Sequence, residues 1–324
     1  MNDVLVLDRA ATAAALDPHR LMAAVSEALV AVARGTVSAP PRTAAFAPGG
    51  LLGAMPGYVP GLGLAAKLVS VFADPACPGR SSHRGVVALF DPEDGRPLAF
   101  MDAEPVTAWR TAAAATHSAL ALARPGPVVV VGTGAQARAQ VRLLAALRPA
   151  EPVTVAGRDP AAARALAALH PAGRAASGAG GAESGNGTGS ANGIETAVRE
   201  AATVYCCTGA TRPVLRRDWL APGVHVSSVG GSHGPELDAD TVRDATLFAE
   251  WHGAADTPPP SGAHEFQGLP EGRAVTLLGS VLCGEAPGRT SPDRLTVFKS
   301  TGHAALDVAA AYVVHRTALG RPPE

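Results

Sequence analysis

Lysine is nearly absent from this chain of 324 residues: only two of its 27 Lys and Arg residues, Lys67 and Lys299, are lysines. Either the pair is left over from a compositional bias toward arginine, alongside 36 Gly and 28 Pro, or each does something a guanidinium cannot. Aromatic residues are scarce as well, at 4%. No apolar run approaches the ~20 residues that a membrane span needs. The opening MNDVLVLDRA lacks the basic stretch and long apolar run of a secretory signal. The expectation is a cytoplasmic chain with no membrane partner. Its four cysteines, Cys77, Cys206, Cys207 and Cys283, form no CxxC pair, and the adjacent two cannot staple distant segments. Reduced, buried thiols follow. The ten His include no HxH or HExxH spacing, so no metal is expected. A net charge of -1 leaves out the basic surface that nucleic acid requires.

What is present is apolar, at 47%, and long enough for two domains with separate cores. Asp17-Pro18 reads as a helix start, with Leu21, Val25, Ala28, Leu29 and Val32 on one stripe and Gly35 as its stop. From 42 to 105 short strand-like runs broken by Gly and Pro imply an antiparallel region, and DPEDG at 91–95 implies a hairpin turn. Residues 107–123, rich in Ala and Leu, read as a helix. The pattern then becomes strand, helix, strand, helix: PVVVVG, GTGAQARAQVRLLAAL, PVTVAGRD and PAAARALAAL. That alternation implies a parallel sheet. TVYCCTG (203–209) and GVHVSSVG (223–230) are further core strands, and 295–319 closes the chain at helical spacing. Residues 172–193, poor in large apolar groups, read as a flexible surface insertion.

Gly132-Thr133-Gly134-Ala135-Gln136-Ala137 follows a buried strand and opens a helix. Small residues there let the backbone approach a pyrophosphate, and the helix N-terminus supplies amides and partial positive charge. The second strand ends ~20 residues on, where an acid usually holds the ribose of NAD and an Arg accommodates the extra phosphate of NADP. Here Arg158 comes first, which favours NADPH while leaving NADH open; Asp159, before Pro160, is more simply a helix cap. Three cations mark a substrate site. Lys67 interrupts an apolar strand, where it is costly unless paired, functional or snorkelling at the strand end. Arg42 lies in PPRTA, and Arg110 sits in an Ala-rich helix, either exposed or gripping a carboxylate.

The series R-T-A-A (Arg110–Ala113), V-G-T-G-A-Q-A (Val131–Ala137), T-G-A-T-R-P-V-L (Thr208–Leu215), V-G-G-S (Val229–Ser232), P-G-R-T-S (Pro287–Ser291) and T-V-F-K-S-T-G-H-A-A-L-D (Thr296–Asp307) resembles the ornithine cyclodeaminase/mu-crystallin family. M-P-G-Y (Met55–Tyr58) and A-A-K-L-V-S (Ala65–Ser70) are similar to it too, and the matches run in order over nearly the whole chain. The resemblance implies an α/β homodimer. Residues 1–116 with 297–324 would form a smaller α+β substrate-binding and dimerisation domain. Residues 117–296 would form a Rossmann-type domain, a doubly wound parallel sheet binding NAD(P). Carried over by position, Arg42, Lys67 and Arg110 are carboxylate ligands, with Thr301 and Gly302 bordering nicotinamide and substrate. Ser82, His83, Thr111, Gly132, Gly134, Ala135, Gln136, Arg158, Thr208, Val226, Ser228, Val229 and Ser300 are cofactor contacts. His83 reads equally as a solvated loop histidine, and Thr208 and Ser300 as strand-end hydroxyls.

One departure discriminates within the family. Cyclodeaminases are similar here but carry an acid after two glycines; this chain has Gly230-Gly231-Ser232, and a hydroxyl cannot act as that base. Glu236 or Asp238 would have to take the role over. The loss fits the reductase branches. The expected activity is reduction of a cyclic imino acid, Δ1-pyrroline-2-carboxylate to L-proline, with Δ1-piperideine-2-carboxylate to L-pipecolate as a second activity. Lys67 is the candidate proton donor, because a buried amine titrates near neutrality and a guanidinium does not. An electrostatic contact from Lys67 to the carboxylate explains its position nearly as well. The alternatives are ornithine or lysine cyclodeamination with bound NAD, an open-chain, alanine-type dehydrogenase, and a non-catalytic NADPH-binding protein.

Overall fold

The computed structural model describes residues 4–73, 81–177, 188–231 and 233–320. The chain divides into two compact units, residues 1–110 with 302–324 and residues 111–301. It passes from one to the other at two peptide bonds, Arg110–Thr111 and Thr301–Gly302.

The first unit begins with β1 (Leu5–Leu7), α1 (Arg9–Ala15) and α2 (Pro18–Ala33). Asp17 caps α2 by accepting from the Arg20 amide at 2.8 Å, and Pro18 starts it with a ready-made φ. Leu21, Val25, Ala28 and Leu29 are its buried stripe, and Gly35, at φ +66°, follows its end. Then come β2 (Thr43–Ala47), β3 (Gly50–Val59), β4 (Gly63–Ala73), β5 (Ser81–Phe90), β6 (Pro97–Asp102) and α3 (Ala103–Leu122). The six strands form one sheet in the order β1-β6-β5-β4-β3-β2, antiparallel except for the β1–β6 pair. The hairpin turn at 91–95 closes through the Gly95 amide on the Asp91 carbonyl, with Gly95 at φ +74°. The unit's last helix, α10, is introduced below in its chain order.

The second unit holds β7 (Val128–Val131), α4 (Ala135–Leu147), β8 (Val153–Ala156), α5 (Pro160–Ala167), β9 (Gly173–Ala175), α6 (Thr188–Arg199), β10 (Thr203–Cys206), β11 (His225–Ser228), α7 (Ala239–Asp244), β12 (Thr246–Ala249), α8 (Gly253–Asp256), β13 (Val275–Leu277), α9 (Leu278–Leu282) and β14 (Thr296–Lys299). α10 (Ala304–Ala318) returns to the first unit. The eight strands are all parallel, in the order β13-β12-β14-β11-β10-β7-β8-β9. Val129 and Val131 feed one core, Val128 and Val130 the other, so the sheet is buried on both faces as a doubly wound fold requires. The strand order reverses between β7 and β10, and the crevice at their carboxyl ends is the topological switch point where such sheets bind ligands.

Three expectations are adjusted here. The unit boundaries fall at 110/111 and 301/302, not at 116/117 and 296/297. Thr116 accepts from Gln140 of α4 at 2.9 Å and Ala115 packs against β7, while β14 lies between β11 and β12, which ties both stretches to the parallel sheet. The segment 172–193 is not wholly an insertion. Gly173–Ala175 pairs with β8, and 188 onward is α6, which buries Ile194 and Val198 in the core. Residues 178–187 lie outside the described residues. Helix α3 starts at Ala103, four residues before the expected 107.

Candidate active site

Within the first unit, α10 lies on the face of the sheet that Lys67 points to. Gly57 makes this possible, since a Cβ there would stand 3.0 Å from Ala304 Cβ. Lys67, in the middle of β4, is 4% exposed, and its ammonium is 2.9 Å from Asp307 Oδ2 on α10. Asp307 Oδ1 accepts from Arg110 Nε at 3.0 Å. Lys67 also donates to Thr107 Oγ1 at 3.5 Å, and Arg42 donates to the carbonyl of Gly302 at 2.8 Å. Gly302 is at φ +83°, and a Cβ on it would come within 2.7 Å of Arg110 Nη2. Only glycine lets the guanidinium lie against this turn. The three cations expected from the sequence are thus brought together, around a carboxylate that sequence reasoning passed over.

The electrostatics follow from the burial. Loss of water pulls the Lys67 ammonium down from its ordinary value to about 8; Asp307 pulls the other way and Arg110 with Arg42 adds to the fall. Burial alone would raise Asp307, but the adjacent Lys67 and Arg110 outweigh it and hold the carboxyl below its usual range. His303, at the cap of α10, is brought to about 4, chiefly by burial. Among the described residues, Lys67 and Arg110 share the one carboxylate of Asp307, a concentration of positive charge that suits an anionic ligand.

In the second unit, Gly132 is at φ +119°, and a Cβ there would lie 2.4 Å from the carbonyl oxygen of Cys207. Gly134, the N-cap of α4, offers no side-chain cap to the helix amides and has open space at its Cβ position. Ala135 is exposed, and Gln136 Oε1 is buried without a hydrogen-bond partner. These residues fit a dinucleotide: a glycine cradle, uncapped amides at a helix N-terminus and an orphaned acceptor beside them. Arg158 is exposed just past β8, and Asp159 caps α5 through the amides of Ala161 and Ala162.

The carboxyl ends of β10, β11 and β14 are braced by buried acids. Glu236 is fully buried and accepts from the Thr208 amide and hydroxyl and from Ser228 Oγ, each at 2.7 Å, and from the Gly230 amide at 2.8 Å. Lys299 donates to Ser228 Oγ at 2.8 Å and to the Gly230 carbonyl and Glu265 at 3.0 Å. Glu265 in turn accepts from the Glu236 amide at 2.7 Å. Thr208 and Ser228 are therefore held by this network at the ends of β10 and β11. Glu250 likewise accepts from Ser300 Oγ at 2.7 Å and the Thr301 amide at 2.8 Å, and Trp251 donates to Thr301 Oγ1 at 2.9 Å.

Some expected contacts fall elsewhere. Val226 is 0% exposed within the core, its backbone paired to both neighbouring strands, so its side chain cannot meet a cofactor. Val229, half-buried just past β11, is better placed. Thr111 is buried at the start of the second unit. Ser82 and His83 run in β5 opposite Phe72 and Val71, so His83 is in a strand and not a loop; their side chains lie outside the described residues. Ser232 is outside them too. Asp238 caps α7, accepting from Thr241 at 2.9 Å, and Glu236 already carries four donors, so both candidate substitutes for the missing acid are committed.

The family profile of ornithine cyclodeaminase/mu-crystallin matches residues 3–321. A Δ1-pyrroline-2-carboxylate reductase of Paracoccus denitrificans is 31% identical over 288 residues, 84% of this chain and 85% of that one. The ketimine reductase mu-crystallin of Mus musculus is 30% identical over 279 residues, 82% and 80% of the two chains. The solved structure of Thermococcus litoralis Δ1-pyrroline-2-carboxylate reductase in complex with NADH and L-proline is similar at a TM-score of 0.82 and 26% identity, covering 98% of each chain. With the sheet, the glycine turn and the buried cations all in place, the chain belongs to the ornithine cyclodeaminase/mu-crystallin family.

Proposed function

We propose that this chain reduces the C=N bond of a small cyclic imino acid, Δ1-pyrroline-2-carboxylate to L-proline, with the six-membered Δ1-piperideine-2-carboxylate as a second substrate. It is a nicotinamide-dependent oxidoreductase acting on C–N bonds. The observation that carries the proposal is the buried cluster of Lys67, Arg110 and Asp307 with Arg42 beside it. A relative that binds NADH and L-proline supports the choice of ring.

The substrate's carboxylate is taken by Arg42 and Arg110, which fixes the imine carbon and removes the entropic cost of finding the geometry. Lys67 gives one proton to the imine nitrogen, making the carbon a better hydride acceptor, and regains a proton from water. A bound dihydronicotinamide supplies the hydride. The imine carbon would gain its C–H bond from that hydride and the nitrogen its N–H bond from the Lys67 proton, a two-electron reduction in all. Gly132 to Gln136, Thr208, Val229 and Ser300 would hold the dinucleotide, with Ser82, His83 and Thr111 as further contacts. Arg158 supports NADPH over NADH, since it is exposed where the 2′-phosphate of NADP is read. Because Lys67 titrates near 8, its protonated fraction falls as pH rises through that value. The turnover number falls with it.

Assembly into a homodimer is supported by the uncovered face of the antiparallel sheet. Leu52, Leu64, Leu68, Phe72, Phe100 and Val6 stand on that face and are exposed by between 36 and 80%. Apolar patches of this kind mark interfaces. The deciding assay follows NADPH and NADH absorbance with Δ1-pyrroline-2-carboxylate and, in parallel, ammonia released from L-ornithine. Cofactor oxidation without ornithine turnover is expected; ammonia with no imine reduction overturns the proposal in favour of cyclodeamination.

A further inference from the structure

Asp307 stands where a carboxylate is least expected. Every residue from Ala304 to Ala311 on α10 is buried, so the helix has no wet side there to carry an acid, and a lone carboxylate in such a place is costly. Its two oxygens are divided between two cations: Oδ1 takes the inner nitrogen of Arg110 and Oδ2 the ammonium of Lys67. The division has a chemical consequence. A guanidinium held by Nε keeps its terminal pair, Nη1 and Nη2, as the planar fork that takes a substrate carboxylate two-pronged. An ammonium held against a carboxylate stays charged in a place where burial and two neighbouring guanidinium groups favour losing the proton.

We propose that Asp307 is a positioning residue of the reduction, which fixes Arg110 as the carboxylate grip and Lys67 as the proton donor. The assignment rests on the imine-reductase activity proposed above. The charged groups facing Lys67 are Asp307 from α10, Arg110 from α3 and Arg42 from the segment before β2; Thr107 from α3 is its neutral neighbour. His303, at the start of α10, faces Asp307, Arg110 and Arg42 and is neutral above about pH 4. Among the described residues, Asp307 is therefore the negative charge set against these cations. Removing it does two opposite things. It lets Lys67 shed its proton more readily, and it raises the positive charge that meets the substrate anion.

The test compares Asp307→Asn and Asp307→Glu with the unaltered chain, full length and saturated with NADPH. For Asp307→Asn the alkaline limb of kcat is expected to move down by roughly one pH unit or more. At pH 8 kcat should fall about fivefold or further, part of it returning at pH 6, while KM for Δ1-pyrroline-2-carboxylate does not rise. Asp307→Glu keeps the charge and should keep the limb. A second readout is independent of turnover. With two lysines in the chain, carbon-13 labelling of lysine at Cε gives two side-chain signals, and the one lost in Lys67→Arg identifies Lys67. That signal should titrate at lower pH in Asp307→Asn. An unmoved titration, or an equal loss of kcat at every pH, overturns the proposal; so does a KM that rises with kcat intact. If Asp307→Asn does not fold, the same titration in Asp307→Ser decides, a downward shift from the unaltered value supporting the proposal and none overturning it. An unaltered chain that reduces no imine defeats the reductase reading instead, a result distinct from any of these.

Discussion

At the scale of single residues, the two lysines have parted in meaning. Lys299 is 1% exposed, and its one nitrogen meets three acceptors at 2.8 to 3.0 Å, a geometry that suits an ammonium and not a planar guanidinium. Lys67 has one close counter-ion and a depressed titration, as a proton donor requires. On the function proposed here, Arg158 is the residue on which cofactor choice would turn. Arg158→Ala should weaken NADPH by about 1.5–3 kcal/mol, roughly 10- to 100-fold, and NADH far less. Titrating both cofactors by fluorescence checks this, and equal losses would remove the case for NADPH. Of the three cations proposed to hold the substrate, Lys67 and Arg110 stand out in the sequence, because a cation inside an apolar strand or an Ala-rich helix announces a cost. Asp307 does not. The stripe of Ala305, Val308, Ala309, Tyr312 and Val313 leaves position 307 in the gap that an amphipathic helix turns to water. Helix α10 has no such gap, since it is buried on all sides over its first two turns.

At the scale of elements, the ends of β10, β11 and β14 in the second unit are held in place by buried acids. Glu236 ties Thr208 at one strand end to Ser228 and Gly230 at the next, and Glu250 ties Ser300 to Thr301. Glu236→Gln keeps the shape but turns an amide donor toward at least one of four donors. Breaking a buried charged group of this kind costs about 3–5 kcal/mol. A lower melting temperature is expected, with dinucleotide affinity reduced in the folded protein at 25 °C. A variant that melts normally and binds normally would show that the strand ends need no brace. The glycine turn and strands β7, β8, β10 and β11 were readable from their apolar runs. Strands β12 and β13 were not, being four and three residues long in a stretch crowded with turn formers. Nor was the brace, because its members lie far apart in sequence and each alone reads as a surface acid. Helix α6 was missed for the opposite reason: its first half is Gly, Ser and Asn, and only Ile194 and Val198 reveal the buried side.

For the whole molecule, the antiparallel sheet covers one face with its helices and leaves Leu64, Leu68 and Phe72 on the other. Changing both Leu64 and Leu68 to Asp should convert a dimer to monomers in sedimentation velocity, with the cofactor-binding unit unharmed. A monomeric unaltered chain would refute the assembly. The two units were visible in the sequence as a change from antiparallel to alternating texture, and their discontinuity through the resemblance; the crossing points were off by a few residues because helix α3 continues through one of them and β14 ends just before the other. Those crossings have an evolutionary consequence. One joins Arg110 to Thr111 and the other Thr301 to Gly302, so on the function proposed here the first cut lies between a substrate contact and a cofactor contact, and the second splits the pair expected to border nicotinamide and substrate. A gene exchange that swapped one unit between relatives would have to splice through both. New specificities in such a chain should therefore arise by point substitution far more readily than by domain shuffling, and chimaeras joined at these bonds should fold better than they catalyse.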